Sequence, residues 1–230
     1  MTAPRLDPPR LDPPRLDPPW LTLDLATDMP VLSWAVNRPG LVRARRILWR
    51  EVRNADLPEH LDVVTWLDAQ LAARGATDAV CFLTSCDIAQ FTTAEARADG
   101  IRARAVATVG LSNAESVGHR LPAAAHGWGT INIAVEIGAG LTEAARLEAL
   151  SIATQARTAA IMAAGIRLPT GPATGTGTDC IAIAAPDGDT RYAGLHTGTG
   201  EAVGRAVHTA VARGVALWQA TGTIRRARHG

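Results

Sequence analysis

Two hydrophobic periodicities divide this chain, and their order restricts the folds that it can adopt. Three short segments between residues 20 and 52, and later residues 129–136, alternate apolar and polar positions as half-buried strands do. Residues 141–164 and 197–221 instead carry apolar side chains at helical spacing. Because strands cluster early and long helices late, we predict a single α+β domain, with a mixed or mainly antiparallel sheet and three main helices packed on it.

The shorter elements follow from local signals. A helix is predicted after Pro58, with its apolar side chains on one face, and it ends at Gly75. A compact buried strand is predicted at 79–83. Residues 88–110 fit either a helix or a hairpin that turns at Gly100, and we favour the hairpin.

Both ends of the chain differ from its centre. Three copies of Arg-Leu-Asp-Pro-Pro occupy residues 5–19, where paired prolines fix φ and remove amide donors. The last residues are rich in arginine. We therefore predict a disordered Pro-rich tail over 1–19, one folded domain over 20–221 and a basic flexible tail over 222–230.

Composition disfavours several classes of function. The formal net charge of +1 gives no support for binding to nucleic acid or to a membrane surface. All 23 basic residues are arginines, so the chain has neither a Schiff-base lysine nor a phosphate-loop lysine. No apolar run approaches the roughly 20 residues of a membrane span, and no signal-peptide core is present. The spacing of the three cysteines does not suggest a disulfide framework, which favours a reducing compartment. We therefore predict a soluble, cytoplasmic protein.

The densest group of polar residues lies in a loop directly before the apolar strand 180–184. Glycines in such a loop let backbone N–H groups approach a ligand, and hydroxyl groups add donors and acceptors. The loop is Thr174, Gly175, Thr176, Gly177, Thr178 and Asp179. It predicts a binding site for a polar carbonyl compound, with Asp179 at the loop-to-strand junction. The structural alternative is a turn in which Asp179 caps the amides of the loop itself.

A second group precedes the last long helix. His196 is followed by Thr197, the expected N-cap, and Glu201 lies one turn further along. A helix N-terminus favours developing negative charge, and an imidazole placed there can protonate a departing amine. The alternative is a structural histidine that bonds a carbonyl.

A third group lies on the strand 129–136. Asn132 and Glu136 share one face of that strand, so an amide and a carboxylate are available to hold a substrate and a water molecule. An edge strand with a wet face would show the same pattern. Asn113 follows another predicted strand and is a candidate ligand contact.

The remaining reactive side chains give weaker signals. Cys86 ends a buried strand, but no histidine lies near it in the sequence, which favours a thiol without a catalytic role. His119 and His126 lack companion ligands at metal-site spacing, so no metal site is predicted.

In this order, the groups resemble the adenosylcobinamide amidohydrolase family, the CbiZ-type enzymes of corrinoid salvage. The resemblance extends over about residues 30–218. It rests on Asn37-Arg38-Pro39-Gly40, Val109-Gly110-Leu111-Ser112-Asn113-Ala114, Gly129-Thr130-Ile131-Asn132-Ile133, Ala173-Thr174-Gly175-Thr176-Gly177-Thr178-Asp179 and Gly194-Leu195-His196-Thr197-Gly198-Thr199-Gly200-Glu201.

The resemblance implies a hydrolase that cleaves the amide joining aminopropanol to a corrin propionate. Adenosylcobinamide and water would give adenosylcobyric acid and 1-amino-2-propanol, in cobinamide salvage for coenzyme B12 synthesis. It implies a small-molecule corrinoid as partner and no cofactor of the protein's own, since cobalt arrives within the substrate. Whether the chain forms a homo-oligomer stays open.

Physical reasoning on the matching positions predicts the roles of single residues. Asp179 or Glu136 activates water, the loop amides and Thr178 stabilise the oxyanion, and His196 protonates the leaving amine. The predicted substrate-binding residues are Asn113, Asn132, Thr174, Gly175, Thr176, Gly177, Thr197 and Glu201.

Three alternatives stay open. The first is a threonine nucleophile, Thr176 or Thr178, that acts through an acyl-enzyme. The second is a corrinoid carrier without catalysis, with several of the six tryptophans against the ligand. The third is a nucleotide-binding protein, which the absence of lysine disfavours.

Overall fold

The described residues form one large sheet, two small two-stranded sheets and three α-helices. The structure is a computed structural model that describes residues 12–122 and 129–227. The strands are β1 (Arg15–Asp17), β2 (Trp20–Ser33), β3 (Gly40–Glu51), β4 (Val80–Thr84), β5 (Thr92–Ala98), β6 (Ile101–Val109), β7 (Ala114–Glu115), β8 (Ile131–Ile137), β9 (Arg167–Leu168), β10 (Gly171–Pro172), β11 (Gly175–Thr176) and β12 (Cys180–Ala184). The helices are α1 (Val63–Ala73), α2 (Glu143–Ala163) and α3 (Gly198–Ala227).

The large sheet is mixed and has eight strands. Its order is β4-β3-β2-β12-β8-β6-β5, with β1 paired to β2. Two neighbouring pairs, β3 with β4 and β8 with β12, are parallel, and the other pairs are antiparallel. Parallel neighbours need a long crossover, and α1 and α2 supply the two crossovers here. The predicted α+β class, the mixed sheet, the three helices and the single domain are confirmed.

The central strands β8 and β12 are buried on both faces. On β8, Ile131, Ile133 and Val135 pack in the core that the sheet forms with α2 and α3. The intervening Ala134 belongs to a second core on the opposite face, together with side chains of β2, β3 and β4. This alternation follows from the two-residue period of a strand, and it directs Asn132 and Glu136 into the second core.

The sheet curves so strongly that strands far apart in its order come into contact. The Asn132 side-chain amide on β8 donates to the Leu83 carbonyl on β4, at 2.9 Å. The Trp49 indole on β3 donates to the Asn132 carbonyl at 3.4 Å. Polar residues on the inner face of β8 are therefore enclosed, and Asn132 is only 1% exposed. The sequence had allowed a wet edge strand at this position, but β8 is central and covered.

Two details of the strands bear on the predictions. The favoured hairpin over residues 88–110 is confirmed as β5 and β6. Asp99 and Gly100 form its turn, both with positive φ (48° and 78°), as a two-residue type I′ turn requires. The segments read as separate strands near residues 20–25 and 31–36 belong to one strand, β2, whose register shifts between Asp24 and Met29.

Regular secondary structure extends into both of the predicted tails. Instead of belonging to a disordered tail up to residue 19, Arg15–Asp17 forms β1 on β2. Arg15 pairs with Asp24 and Asp17 with Arg74, so this copy of the repeat has charged partners that its own sequence does not reveal. Helix α3 continues to Ala227, where a flexible tail was predicted from residue 222.

No helix within 12–122 and 129–227 combines the length and the apolar character needed to cross a membrane.

Candidate functional site

Long-range pairing assembles most of the predicted polar residues at one end of the sheet. Strand β11, within the Thr-Gly loop, pairs with β7, which places Asn113 beside the loop. Strand β12 runs parallel to β8, so Asp179 lies next to the start of β8. Asn113, Asn132 and residues 174–179 therefore form one cluster, which we call the loop cluster.

Asp179 is the centre of the loop cluster. One carboxylate oxygen accepts from the Ile131 N–H at 3.0 Å and from the Thr176 hydroxyl. The other accepts from the Thr176 N–H at 3.0 Å and from the Arg157 guanidinium. Two carboxylate oxygens offer about four lone-pair positions, so these four donors occupy all of them. The arrangement combines the predicted capping role of Asp179 with a location at the candidate site.

Arg157 is a member of the site that sequence reasoning missed. It projects from α2 and forms a buried ion pair with Asp179, with side-chain exposures of 13% and 8%. Burial lowers the pKa of Arg157, yet arginine has so high an ordinary pKa that the group stays charged at neutral pH. A Cβ at Gly175 would lie 2.7 Å from the Asp179 Oδ2 and closer still to the guanidinium, so a larger residue there would have to displace these side-chain ends.

Thr178 and Asn113 form the exposed side of the loop cluster. The Thr178 hydroxyl donates to the Gly129 carbonyl at 2.9 Å and accepts from the Asn113 amide at 3.3 Å. The Asn113 Oδ1 is buried without a hydrogen-bond partner among the described residues. Gly177 and Thr178 are exposed, and a Cβ at Gly177 would meet open space. This side of the loop is open to a ligand at Gly177 and Thr178.

Two of the predicted binding residues hold the site together. Asn132 spans from β8 to β4 through its amide, while its Oδ1 accepts from the Thr130 hydroxyl at 3.2 Å. Thr130 also donates to the Thr178 carbonyl at 2.8 Å. The Thr174 hydroxyl accepts from the Val117 N–H at 2.8 Å, which ties the start of the loop to the segment that follows β7.

A cleft of about 300 Å³ opens beside the loop cluster. Its lining combines apolar side chains of β4 and the β2–β3 turn with polar residues of the loop cluster, which we call the polar wall. The lining residues are Trp34, Ala35, Val36, Cys81, Phe82, Leu83, Asn132, Gly177, Thr178, Asp179 and Cys180. An apolar cleft with a few convergent polar groups is the usual form of a small-molecule site.

Cys86 lies close to the loop cluster but has the properties of an inert thiol. Its Sγ donates to the Thr130 carbonyl at 3.3 Å. Burial raises the pKa of Cys86, which keeps the thiol protonated at neutral pH. Since the thiolate is the nucleophile, this environment agrees with the interpretation of a thiol without a catalytic role.

Glu136 is on the same face of β8 as Asn132 but is remote from the cleft. Four residues separate the two, which corresponds to about 13 Å along a strand. Glu136 is 5% exposed, pairs with Arg104 at 2.7 Å and accepts from the Ala26 N–H at 3.0 Å. Its contacts join β8 to β6 and to β2.

The His196 group lies at the opposite end of the sheet from the loop cluster. Strand β8 extends from Ile131, beside Asp179, to Ile137, about 20 Å away. Helix α3 begins beyond the second end, where a Cβ on Gly198 would approach Asp99 in the β5–β6 turn to 2.7 Å. We expected His196 to act on the same amide as Asp179, but the two residues lie at opposite ends of β8. Thr197 is the helix cap, and Glu201 pairs with Arg205.

The residues missed by sequence reasoning give little local signal. Arg157 is one of several polar residues on a long helix, and nothing near it in the sequence marks it. Trp34 was included among the six tryptophans that could contact a ligand, but no feature of its own distinguished it from the others. Thr130 belongs to the segment 129–133 that carried the resemblance, but the sequence does not show that its hydroxyl reaches the Thr178 carbonyl of a distant segment. Only a prediction of the strand order would have found them.

Metal ligation was also considered. Within the described ranges, no group of three or more His, Cys, Asp or Glu side chains is arranged to hold a metal ion. His126 lies outside the described residues.

Comparison with known proteins adds the family. The CbiZ family, described as adenosylcobinamide amidohydrolase, matches residues 13–223. The chain belongs to this family. The match includes every residue of the loop cluster, the cleft and the His196 group, and it covers the segments that carried the resemblance in the sequence.

Other comparisons are more distant. No curated protein matches this member of the adenosylcobinamide amidohydrolase family. Among solved structures, it is similar to the crystal structure of the PH0078 protein from Pyrococcus horikoshii OT3, with 10% sequence identity and a TM-score of 0.40. That similarity covers 81% of this chain and 72% of the other.

Proposed function

We propose that this protein hydrolyses the amide between aminopropanol and the corrin propionate of adenosylcobinamide. Water adds to the amide carbonyl and the C–N bond breaks, which gives adenosylcobyric acid and 1-amino-2-propanol. The reaction serves cobinamide salvage for coenzyme B12 synthesis. Cobalt enters within the corrinoid substrate, and the protein supplies no cofactor of its own.

The observation that carries the proposal is the family match over residues 13–223, together with the cleft beside the loop cluster. The exposed backbone of Gly177 and the Thr178 hydroxyl lie at the polar wall of this cleft, where the hydroxyl proton would turn from the Gly129 carbonyl to the substrate. Donors at such positions stabilise the oxyanion that develops on an amide carbonyl. The Asn113 amide, which donates to the Thr178 hydroxyl at 3.3 Å, holds that hydroxyl in position.

Asp179 organises this wall in the proposed mechanism. Its four hydrogen bonds fix Thr176 and the start of β8, and they thereby set the orientation of Thr178. Accepting a proton from water would require one of the four donors to leave. Asp179 therefore contributes mainly by positioning the loop. Of the two predicted carboxylates, Asp179 lies at the cleft and Glu136 is remote from it, so the geometry favours Asp179 as the one that acts at the site. His196 has no place in this centre.

Product identification tests the proposal. Purified protein is incubated with adenosylcobinamide, and the products are separated and identified by mass spectrometry. We expect adenosylcobyric acid and 1-amino-2-propanol in equal amounts. Thr178→Ala should lower kcat by about 100-fold, as the loss of one oxyanion donor does. Thr77→Ala, at an exposed turn before β4, is the matched control and should leave kcat unchanged.

Two outcomes contradict the proposal. Bound but unchanged corrinoid would identify a carrier instead of a hydrolase. A covalent corrinoid adduct on Thr176 or Thr178, detected in the intact protein, would replace direct attack of water by the threonine-nucleophile mechanism.

A further inference from the structure

Trp34 is the one exposed tryptophan among the five in the described part of the chain. Its exposed fraction is 47%, while Trp20 and Trp49 are buried and Trp66 and Trp218 pack against the cores. Within the described residues, the other four tryptophans are buried or pack against a core, and Trp34 alone offers an exposed ring to a large ligand.

The indole of Trp34 is held in position by the loop cluster. Its Nε1 donates to the Asp179 carbonyl at 2.8 Å, which fixes the ring relative to the polar wall of the cleft. Ala35, the next residue, is buried and anchors the backbone behind it, and Val36 is 46% exposed at the same cleft. The result is an apolar surface, already immobilised, directly beside the proposed amide-binding groups. A tryptophan with its N–H bonded and its ring exposed is typical of a binding surface.

The size of the cleft decides how a corrinoid fits. About 300 Å³ is the lower limit of small-molecule pockets, which extend to roughly 1,000 Å³. One side arm of a corrinoid has room in this volume, but the macrocycle does not. When the amide arm reaches Thr178, the ring system must lie across the mouth of the cleft, where Trp34 and Val36 are exposed.

We propose that Trp34, with Val36, forms the surface on which a conjugated ring of the corrinoid rests while its amide arm occupies the cleft. This inference depends on the proposed function for the identity of the ligand. Two rings have the required chemistry, the corrin macrocycle and the adenine of the adenosyl group. Stacking of a base or a conjugated ring on an aromatic side chain contributes enough to change affinity at least several-fold.

Binding of the product separates affinity from catalysis. Adenosylcobyric acid is titrated into wild-type protein, Trp34→Ala and Trp34→Phe, and free ligand is measured by equilibrium dialysis. We expect Trp34→Ala to raise Kd by about 10-fold or more, and Trp34→Phe to stay within about 3-fold because it keeps a ring. Tyr192→Ala removes a more exposed aromatic ring (68%) at the opposite end of the sheet, and it should bind as wild type.

The same titration with cyanocobyric acid, which has no adenine, identifies the ring. An equal loss of affinity in Trp34→Ala assigns the contact to the macrocycle, and a loss confined to the adenosyl form assigns it to adenine. Unchanged affinity of Trp34→Ala for both ligands, with a melting temperature near that of wild type, would overturn the inference. If the wild type binds but does not cleave adenosylcobinamide, the proposed function fails and the Trp34 contact stands.

Discussion

At the scale of single residues, the loop cluster depends on one buried ion pair. Arg157 and Asp179 come from different elements, and each is mostly excluded from water. The net contribution of such a pair to stability is small, but removal of one partner leaves a buried charge unpaired. The Asp179 carboxylate also bonds the Thr176 and Ile131 N–H groups, so its loss frees two backbone donors as well. The pair thus couples the stability of the fold to the shape of the polar wall.

Asp179→Asn should lower the free energy of unfolding by about 3–5 kcal/mol, because it leaves the Arg157 charge buried without a partner. It should also abolish most cleavage of adenosylcobinamide. Urea unfolding measures the first effect and product formation the second. Asp68→Asn, on the exposed face of α1, is the matched control and should change neither. If Asp179→Asn unfolds and turns over substrate as the wild type does, the ion pair contributes neither to stability nor to catalysis.

At the scale of elements, the start of α3 shows why a glycine-rich motif need not be a ligand site. A Cβ on Gly200 would lie 2.6 Å from the Ala193 carbonyl oxygen and closer still to that of Gly194. Gly198 has the same close approach to the β5–β6 turn. The glycines let the helix N-terminus pack against backbone, and Thr197 caps it through the Gly200 N–H at 3.0 Å. In the structure, the motif secures the helix to the sheet.

Two glycines in α3 should respond in opposite directions to the same substitution. Gly200→Ala forces a methyl group into backbone atoms and should destabilise the fold by about 1–3 kcal/mol or more. Gly204→Ala places the methyl group 3.6 Å from the Ile152 side chain, an ordinary contact, and should stabilise the helix by up to about 1 kcal/mol. Urea unfolding of both variants checks this. Equal effects of the two would mean that the close approach at Gly200 is relieved by a small backbone shift.

At the scale of the whole molecule, composition leaves cysteine as the main group that titrates in alkaline solution. The chain has no lysine and a single tyrosine, whereas all three cysteines are at least half-buried. Burial raises the pKa of Cys180 to about 11 and also raises the pKa of Cys81. The folded protein therefore holds thiol protons that the unfolded chain releases near pH 9.

Stability should consequently fall as the pH rises from 9 to 11. The folded pKa lies above the unfolded value, so the stabilisation is complete below pH 9 and is lost toward the folded pKa. For Cys180 alone the two-unit difference corresponds to about 3 kcal/mol. The free energy of unfolding, measured in urea at several pH values, should decline in wild type and much less in the variant with all three cysteines changed to alanine. If the free energy of unfolding declines equally in both proteins, groups other than the cysteines cause the loss of stability.

Local patterns predicted the elements well and the site only in part. Alternation placed Asn132 and Glu136 on one face of a strand, and the structure agrees. Alternation carries no information on distance along the strand from the cleft, so it could not separate the two. The Thr-Gly loop was found from its composition. Arg157 was not found, and Trp34 was not distinguished from the other tryptophans, because their contacts with Asp179 span 22 and 145 positions in the sequence.

The sequence alone determined where strands, helices and the hydroxyl-rich loop occur, since hydrophobic periodicity, caps and turn residues act over a few neighbouring positions. Tertiary structure alone decided which polar groups meet. The parallel pairing of β8 with β12 and the curvature of the sheet bring Asn132, Thr178 and Trp34 to one cleft and carry His196 to the other end. Those outcomes depend on strand order and direction, which arise from contacts between distant segments and leave no local pattern in the chain.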